Sequence, residues 1–313
     1  MDADGCGWFD GRMQQRTGAL LVLASAVAFG LMPIFGKLAF SAGVGVATLL
    51  VVRFAIAAPI LWTGVALRGS FPRVRRGVLL RALALGAVGY ALQAGLYFLA
   101  LERMDASILS LVLYSYPALV TGAAILLGRE PANRRRLVAL VIASGGLVLV
   151  LAGAGAGDVD LAGMALGAGA ALTYTTYILV SDGVTRNLEA LPLAALVATG
   201  ATVSLGLVAG LSGSLHFGFD AAGWLWLGLA ALVSTVAAVV LFFSGMSRVG
   251  PSTAAILSTL EPPVTVALVF VTFGEALGVV QLLGAVAVLG AAVVVNLPAR
   301  DSVLAEPVRS QAA

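Results

Sequence analysis

Few residues of this 313-residue chain are of a type that does chemistry, and several of those few fall inside long apolar runs. Glu261 is the clearest case. It stands directly before Pro262 and Pro263 and shares a helical face with Ser258 and Thr265. An ionisable group in hydrocarbon costs about 2.5–3.5 kcal/mol on insertion scales, so each one needs a reason. The two prolines lack backbone donors and free carbonyls one turn back, which predicts a bend at this point. Two readings of Glu261 stand side by side. It either takes up a proton or a ligand's amine at a gate, or it is a structural carboxylate held by a cation or hydrogen bonds at the bend. Arg53, well inside the second apolar run, is open in the same way. A permanent cation there attracts ligand carboxylates, or else it pairs with Glu261 or a freed carbonyl, or snorkels outward. Lys37 closes the first run and is expected to snorkel.

Three polar faces accompany these charges. Tyr90, Gln93 and Tyr97 recur at helical spacing, as do Ser110, Tyr114 and Pro117, and then Tyr174, Tyr177 and Ser181. Tyrosines deep in an apolar helix suit a cavity for flat or amphipathic organic molecules, through stacking and hydroxyl hydrogen bonds. Interhelical bonding and interface anchoring are the competing uses. The candidate ligand contacts are therefore Tyr90, Gln93, Tyr97, Tyr114, Tyr174, Tyr177, Ser258 and Glu261. Arg53, Pro117, Pro262 and Glu261 are the candidate gating positions.

Other chemistries lack their parts. No GK[ST] phosphate loop and no HExxH are present, so an ATP-driven engine and a zinc protease are excluded. The one cysteine, Cys6, and the one histidine, His216, leave no metal cluster and no disulfide framework. No cofactor is expected, and Glu261 alone among carboxylates sits at mid-membrane, which argues against an enzyme.

The elements that must hold these residues are long apolar helices. The chain is 60% hydrophobic and 11% charged, with a mean hydropathy of +1.05, whereas a soluble chain carries about 25% charge. Ten apolar runs are expected to span a membrane, at about 17–38, 45–67, 82–100, 107–127, 137–154, 161–180, 192–211, 222–244, 252–273 and 278–296. They are too long for barrel strands and lack their alternation. Of the 18 Lys and Arg, Arg103 alone falls in loops that would be outside, and Lys37 and Arg53 lie in spans; all the others fall in inside segments. That asymmetry places both termini in the cytoplasm of a multi-pass cell-membrane protein. It also accounts for the net charge of +3 without a nucleic acid. Residues 1–16 read as a cytoplasmic lead and 297–313 as a disordered cytoplasmic tail.

Shifted by 145 residues, the chain lands on itself. Pro117 falls on Pro262, Glu130 on Glu275, Arg103 on Arg248, Ser107 on Ser252, Gly18 on Gly163, and Phe29 on Tyr174. The shift pairs the first five spans (17–154) with the last five (161–296). Five is odd, so the second copy is expected to cross in the opposite sense, as in many secondary transporters. The fold class expected is therefore an all-α integral membrane protein of two inverted five-helix repeats.

These features resemble the drug/metabolite transporter superfamily, in particular its EamA-domain family. The resemblance rests on the five-plus-five repeat, the prolines in spans four and nine, the Gly/Glu elements LLGRE and VTFGE, and the arginine of VVRFAIAAPI. The first Gly/Glu element departs from the second in carrying Arg129 between glycine and Glu130. The resemblance implies a central cavity lined mainly by spans 1, 3, 4, 6, 8 and 9, and export of small organic metabolites such as amino-acid-like compounds or drugs. The partners expected are a small-molecule substrate, the lipid bilayer and a proton as coupling ion, in a monomer or homodimer. A passive channel is the alternative.

Overall fold

The computed structural model describes residues 4–71, 75–128, 134–153, 160–185, 188–249 and 257–296. Within them every regular element is helical. The first segment is α1 (Asp4–Gly30) and α2 (Met32–Ser41), broken at Leu31 because Pro33 opens α2. It starts well before the expected position 17. Next come α3 (Val46–Leu67) and a continuous run of α4 (Arg76–Ala84), a π-helical turn (Leu85–Tyr90) and α5 (Ala91–Leu101). The expected fourth span is two helices, α6 (Ala106–Leu113) and α7 (Tyr116–Leu126), and α8 (Arg134–Gly153) follows.

The remainder repeats this order. There are α9 (Leu161–Thr185), α10 (Ala190–Leu211), and a run of α11 (Ala221–Ala231), a π-helical turn (Leu232–Ala237) and α12 (Ala238–Val249). Then come α13 (Glu261–Phe273) and α14 (Val279–Asn296). Among the described residues six helical stretches are long and apolar enough to cross a membrane, and three shorter apolar helices accompany them. Ser252 and the start of the expected ninth span lie outside the described residues, as do Arg129, Glu130 and the 297–313 tail.

The helices are apolar on nearly all faces, so large side chains such as Val141, Leu207, Val271 and Val286 stay uncovered in the isolated chain. A helix of that kind is at home in hydrocarbon. The covered side chains form one large core around Leu49, Phe54, Phe98, Leu101 and Leu227.

The repeat is written into the backbone. Turns interrupt the helix at Tyr114–Ser115 and again at Thr259–Leu260, 145 residues on. In both places a proline enters the first turn of the new helix, Pro117 in α7 and Pro262 in α13. There its missing N–H costs nothing, because first-turn donors have no intrahelical partner. The bend foreseen at Glu261 is thus a clean restart of the helix. The two π-helical turns also fall in corresponding runs.

Two pairings of the shift turn out to be one contact seen twice. A Cβ on Gly18 would lie 2.7 Å from Cβ of Arg248, and a Cβ on Gly163 would lie 3.1 Å from Cβ of Arg103. Helix α1 therefore meets α12 as α9 meets the end of α5, each by way of a glycine.

At one end of the bundle, contacts join several inter-helix connections. Arg103 pairs with Asp160 at 3.3 Å, and Lys37 pairs with Glu275, whose Oε2 also accepts from the Ala106 backbone N–H at 3.1 Å. Asp220 N–H donates to the Ala42 carbonyl and His216 N–H to Thr48 Oγ1. Lys37 thus does not snorkel but closes an ion pair.

Candidate functional site

A chamber lies at the seam of the two halves, and the helix restarts and π-helical turns border it. It has two compartments, of about 140 and 320 Å³, which share Phe29, Tyr90, Tyr114, Tyr116, Tyr174 and Glu261. All six tyrosines of the chain line it. The rings of five of them, all but Tyr97, form a chain of edge, stacked and tilted contacts. Tyr114–Tyr116 centroids are 5.6 Å apart, Tyr116–Tyr174 4.7 Å, Tyr174–Tyr177 6.1 Å and Tyr177–Tyr90 5.9 Å. An aromatic wall of this kind offers flat apolar faces with polar tips.

The structure brings Tyr90, Gln93, Tyr97, Tyr114 and Tyr174 to this chamber, together with Tyr177, Ser258 and Glu261. Gln93 and Tyr97 face the smaller compartment, Tyr177 and Ser258 the larger. Pro117 and Pro262 stand in the first turns of α7 and α13. The walls also include α3 and α10, through Arg53, Leu61 and Leu193, beyond the spans the resemblance implied.

Glu261 is the first residue of α13. Its Oε2 lies 2.8 Å from the Tyr114 hydroxyl, which lies 2.9 Å from the Ser258 carbonyl on the near side of the break. A phenol has one hydrogen and here faces two acceptors. With the carboxylate ionised, the hydrogen goes to Glu261. With Glu261 protonated, the acid donates to the phenol oxygen and the phenol donates to Ser258.

Arg53 does not pair with Glu261. It is buried, at 3% exposure, and donates from Nε to Thr235 Oγ1 at 2.8 Å and from Nη2 to the Tyr90 hydroxyl at 3.3 Å. The Phe54 and Phe98 rings lie 4.6 and 5.6 Å from its guanidinium carbon. Tyr90 and Thr235 are 145 residues apart, so this cation grips the same position in both halves.

Much of the lining shows the same relation. Met32, Arg53, Ala94, Tyr97 and Leu113 of the smaller compartment correspond under the shift to Tyr177, Ala198, Val239, Phe242 and Ser258, all of the larger. Phe29 and Tyr174 correspond as well, as do Tyr116 and Glu261. The two compartments are one cavity drawn twice, with different residues and different volumes. The sequence reading passed over Tyr116, Thr235 and Phe29. The signal for the first two was the shift itself, which lays Tyr116 on Glu261 and Tyr90 on Thr235.

A sequence model of the EamA-like transporter family matches residues 16–152 and again 161–297. The chain belongs to the EamA-like transporter family. Curated relatives agree with the assignment. One is the "Uncharacterized transporter YcbK" of Bacillus subtilis (strain 168), 25% identical over 276 residues, covering 85% of this chain and 88% of that protein. Another is an "Uncharacterized transporter" of Archaeoglobus fulgidus, 28% identical over 188 residues, covering 60% of this chain and 66% of its own length. A solved crystal structure superposes with a TM-score of 0.63 at 17% identity, covering 89% of this chain and 96% of the other, and so shares the fold. This EamA-family chain is a multi-pass membrane protein of a transporter family, and each family match covers one of the two halves the 145-residue shift had paired.

Proposed function

We propose that this chain is a secondary transporter that exports small organic metabolites by alternating access, crossing the cell membrane ten times with both termini in the cytoplasm and its second five-helix repeat inverted. The correspondence between the two compartments carries the reading. Two halves of one cavity design, at 140 and 320 Å³, are what remains when one side has closed and the other has not. Exchange of conformation between the halves exchanges the volumes and moves the open face across the membrane. The contacts at the Lys37–Glu275 end join connections that the alternating topology puts on one side, which supports the inversion.

Glu261 supports coupling to a proton. It borders both compartments, and its protonation decides whether Tyr114 holds α13 alone or bridges α13 and the Ser258 side of the break. In this reading a proton entering from outside switches that bond while substrate leaves. Purified protein in liposomes is expected to give saturable uptake that counterflow accelerates and a pH gradient drives. Flux that rises linearly with solute and ignores counterflow would mark a passive channel and reject the carrier.

A further inference from the structure

Arg53 brings a full positive charge into the bundle, and among the described residues no carboxylate pairs with it. Both of its hydrogen-bond acceptors are neutral hydroxyls. A buried cation without a counter-charge is costly, and partners of this kind offset only part of the loss. An arginine cannot escape by giving up its proton. Yet the side chain does not turn outward: it lines the smaller compartment beside Gln93 and Tyr97. Gln93, half-buried, makes no hydrogen bond with a described residue, so its amide also remains available to a ligand.

The repeat shows that this polarity is not imposed by the fold. Where the smaller compartment has Arg53, Gln93 and Tyr97, the shift places Ala198, Ala238 and Phe242. Ala198 and Phe242 line the larger compartment, whose further walls include Leu61, Leu193 and Val239. Glu261 borders both compartments, but the cation and the amide belong to the smaller alone, and the walls particular to the larger are mostly apolar apart from Thr235 and Ser258.

We infer that Arg53, with Gln93 and Tyr97, forms a subsite for the negatively charged head group of the transported molecule, a small organic anion such as an aryl carboxylate whose flat apolar body lies among the tyrosines. The guanidinium offers N–H donors still unused by the protein, and a carboxylate matches their geometry. This deepens the transporter reading and rests on it for the word transported; the binding itself does not.

Thermal unfolding of the purified full-length protein in detergent tests the subsite with phenylacetate, phenylacetamide and phenethylamine, which share a ring and differ in the head. Phenylacetate is expected to stabilise the wild type at a half-saturating concentration about tenfold below that of either other compound. Arg53→Lys, which keeps the charge but loses the fork, is expected to raise that concentration about tenfold and leave the phenylacetamide response unchanged. Equal responses to all three head groups, or an Arg53→Lys protein that binds phenylacetate as before, would overturn the subsite. Arg53→Gln is expected to lose the preference altogether; should it fail to fold, the wild-type series decides alone. Counterflow of phenylacetate in liposomes separates the two readings. Head-group-selective binding without flux keeps the subsite and rejects the carrier for this ligand. Saturable flux of another solute without head-group selectivity keeps the carrier and rejects the subsite.

Discussion

Tyr114 shows how much rests on one hydrogen atom. Its hydroxyl stands within 2.9 Å of two acceptors on opposite sides of a helix break, so the proton on Glu261 chooses the bond. Glu261→Gln supplies a permanent donor to the phenol and imitates the protonated acid. It is expected to permit substrate exchange while abolishing pH-driven uptake, measured across about pH 5 to 8. Tyr114→Phe removes both bonds, worth about 1 kcal/mol each, and is expected to slow uptake about fivefold or more with normal expression. Asp160 is the control. Backbone N–H groups of Ala162 and Gly163, and Arg103 beside it, hold its carboxyl below the usual carboxylate range. A depressed folded value means that its contribution is present above the unfolded value near 3.9 and is lost only as the pH falls through the folded one. Asp160→Asn is therefore expected to leave the pH profile of transport unchanged between about pH 5 and 8. At this scale the sequence was partly legible. Tyrosine spacing and the cost of a buried carboxylate pointed to the chamber, since both are local arguments. The partners of Arg53 were not legible, because Tyr90 and Thr235 lie 37 and 182 residues away and only the packed helices bring them together.

The elements that hold the chamber rely on backbone contact. A Cβ on Gly86 would stand 2.0 Å from the Val197 carbonyl oxygen, and one on Gly200 would stand 2.2 Å from that of Leu83. The π-helical turn of Leu85–Tyr90 and helix α10 thus touch main chain to main chain, and no side chain can yield to make room. Gly86→Ala is expected to destabilise the protein by about 1–3 kcal/mol, seen as a lower unfolding temperature in detergent. Gly145→Ala, where nothing lies within 4 Å, is expected to be neutral or slightly stabilising by helix propensity. Helix positions followed from the apolar runs, and the restart at Glu261 followed from its prolines. The π-helical turns did not. The glycines of LGAVGY and the β-branched residues of LVSTVA are weak helix formers but do not single out a π-helical turn, and the extra residue per turn is set by what packs against it.

For the molecule as a whole, the informative feature of the sequence was self-similarity, which survives where substrate-specific residues diverge. It gave the pairing of halves, the matching prolines Pro117 and Pro262, and the Gly18/Gly163 and Arg103/Arg248 correspondences; that these are two helix restarts and two contacts came from the structure. It did not give the size or openness of either compartment, because these follow from the packing of distant helices and not from any local pattern. The Lys37–Glu275 pair closes one end of the bundle in the conformation described, with Lys37 also over the Phe273 ring at 5.8 Å. Glu275→Gln is expected to raise severalfold the rate at which an impermeant maleimide, added from that side, labels a cysteine placed at Gln93 in a Cys6→Ser background. A Lys37→Glu, Glu275→Lys double exchange is expected to return it toward the starting rate.

The sequence does not repeat that pair of charges. Moving 145 residues along the chain replaces Lys37 by Asp182 and Glu275 by Glu130, two acids where the originals are a base and an acid. In the proposed carrier, an exchange of conformation between the halves therefore does not exchange one ion pair for another, and the two end states are not expected to be equally populated. The proposed carrier is expected to favour the state in which Lys37 and Glu275 are joined when nothing is bound. Two charges would thus set where such a carrier waits, while the gradient that drives it would set which way it runs.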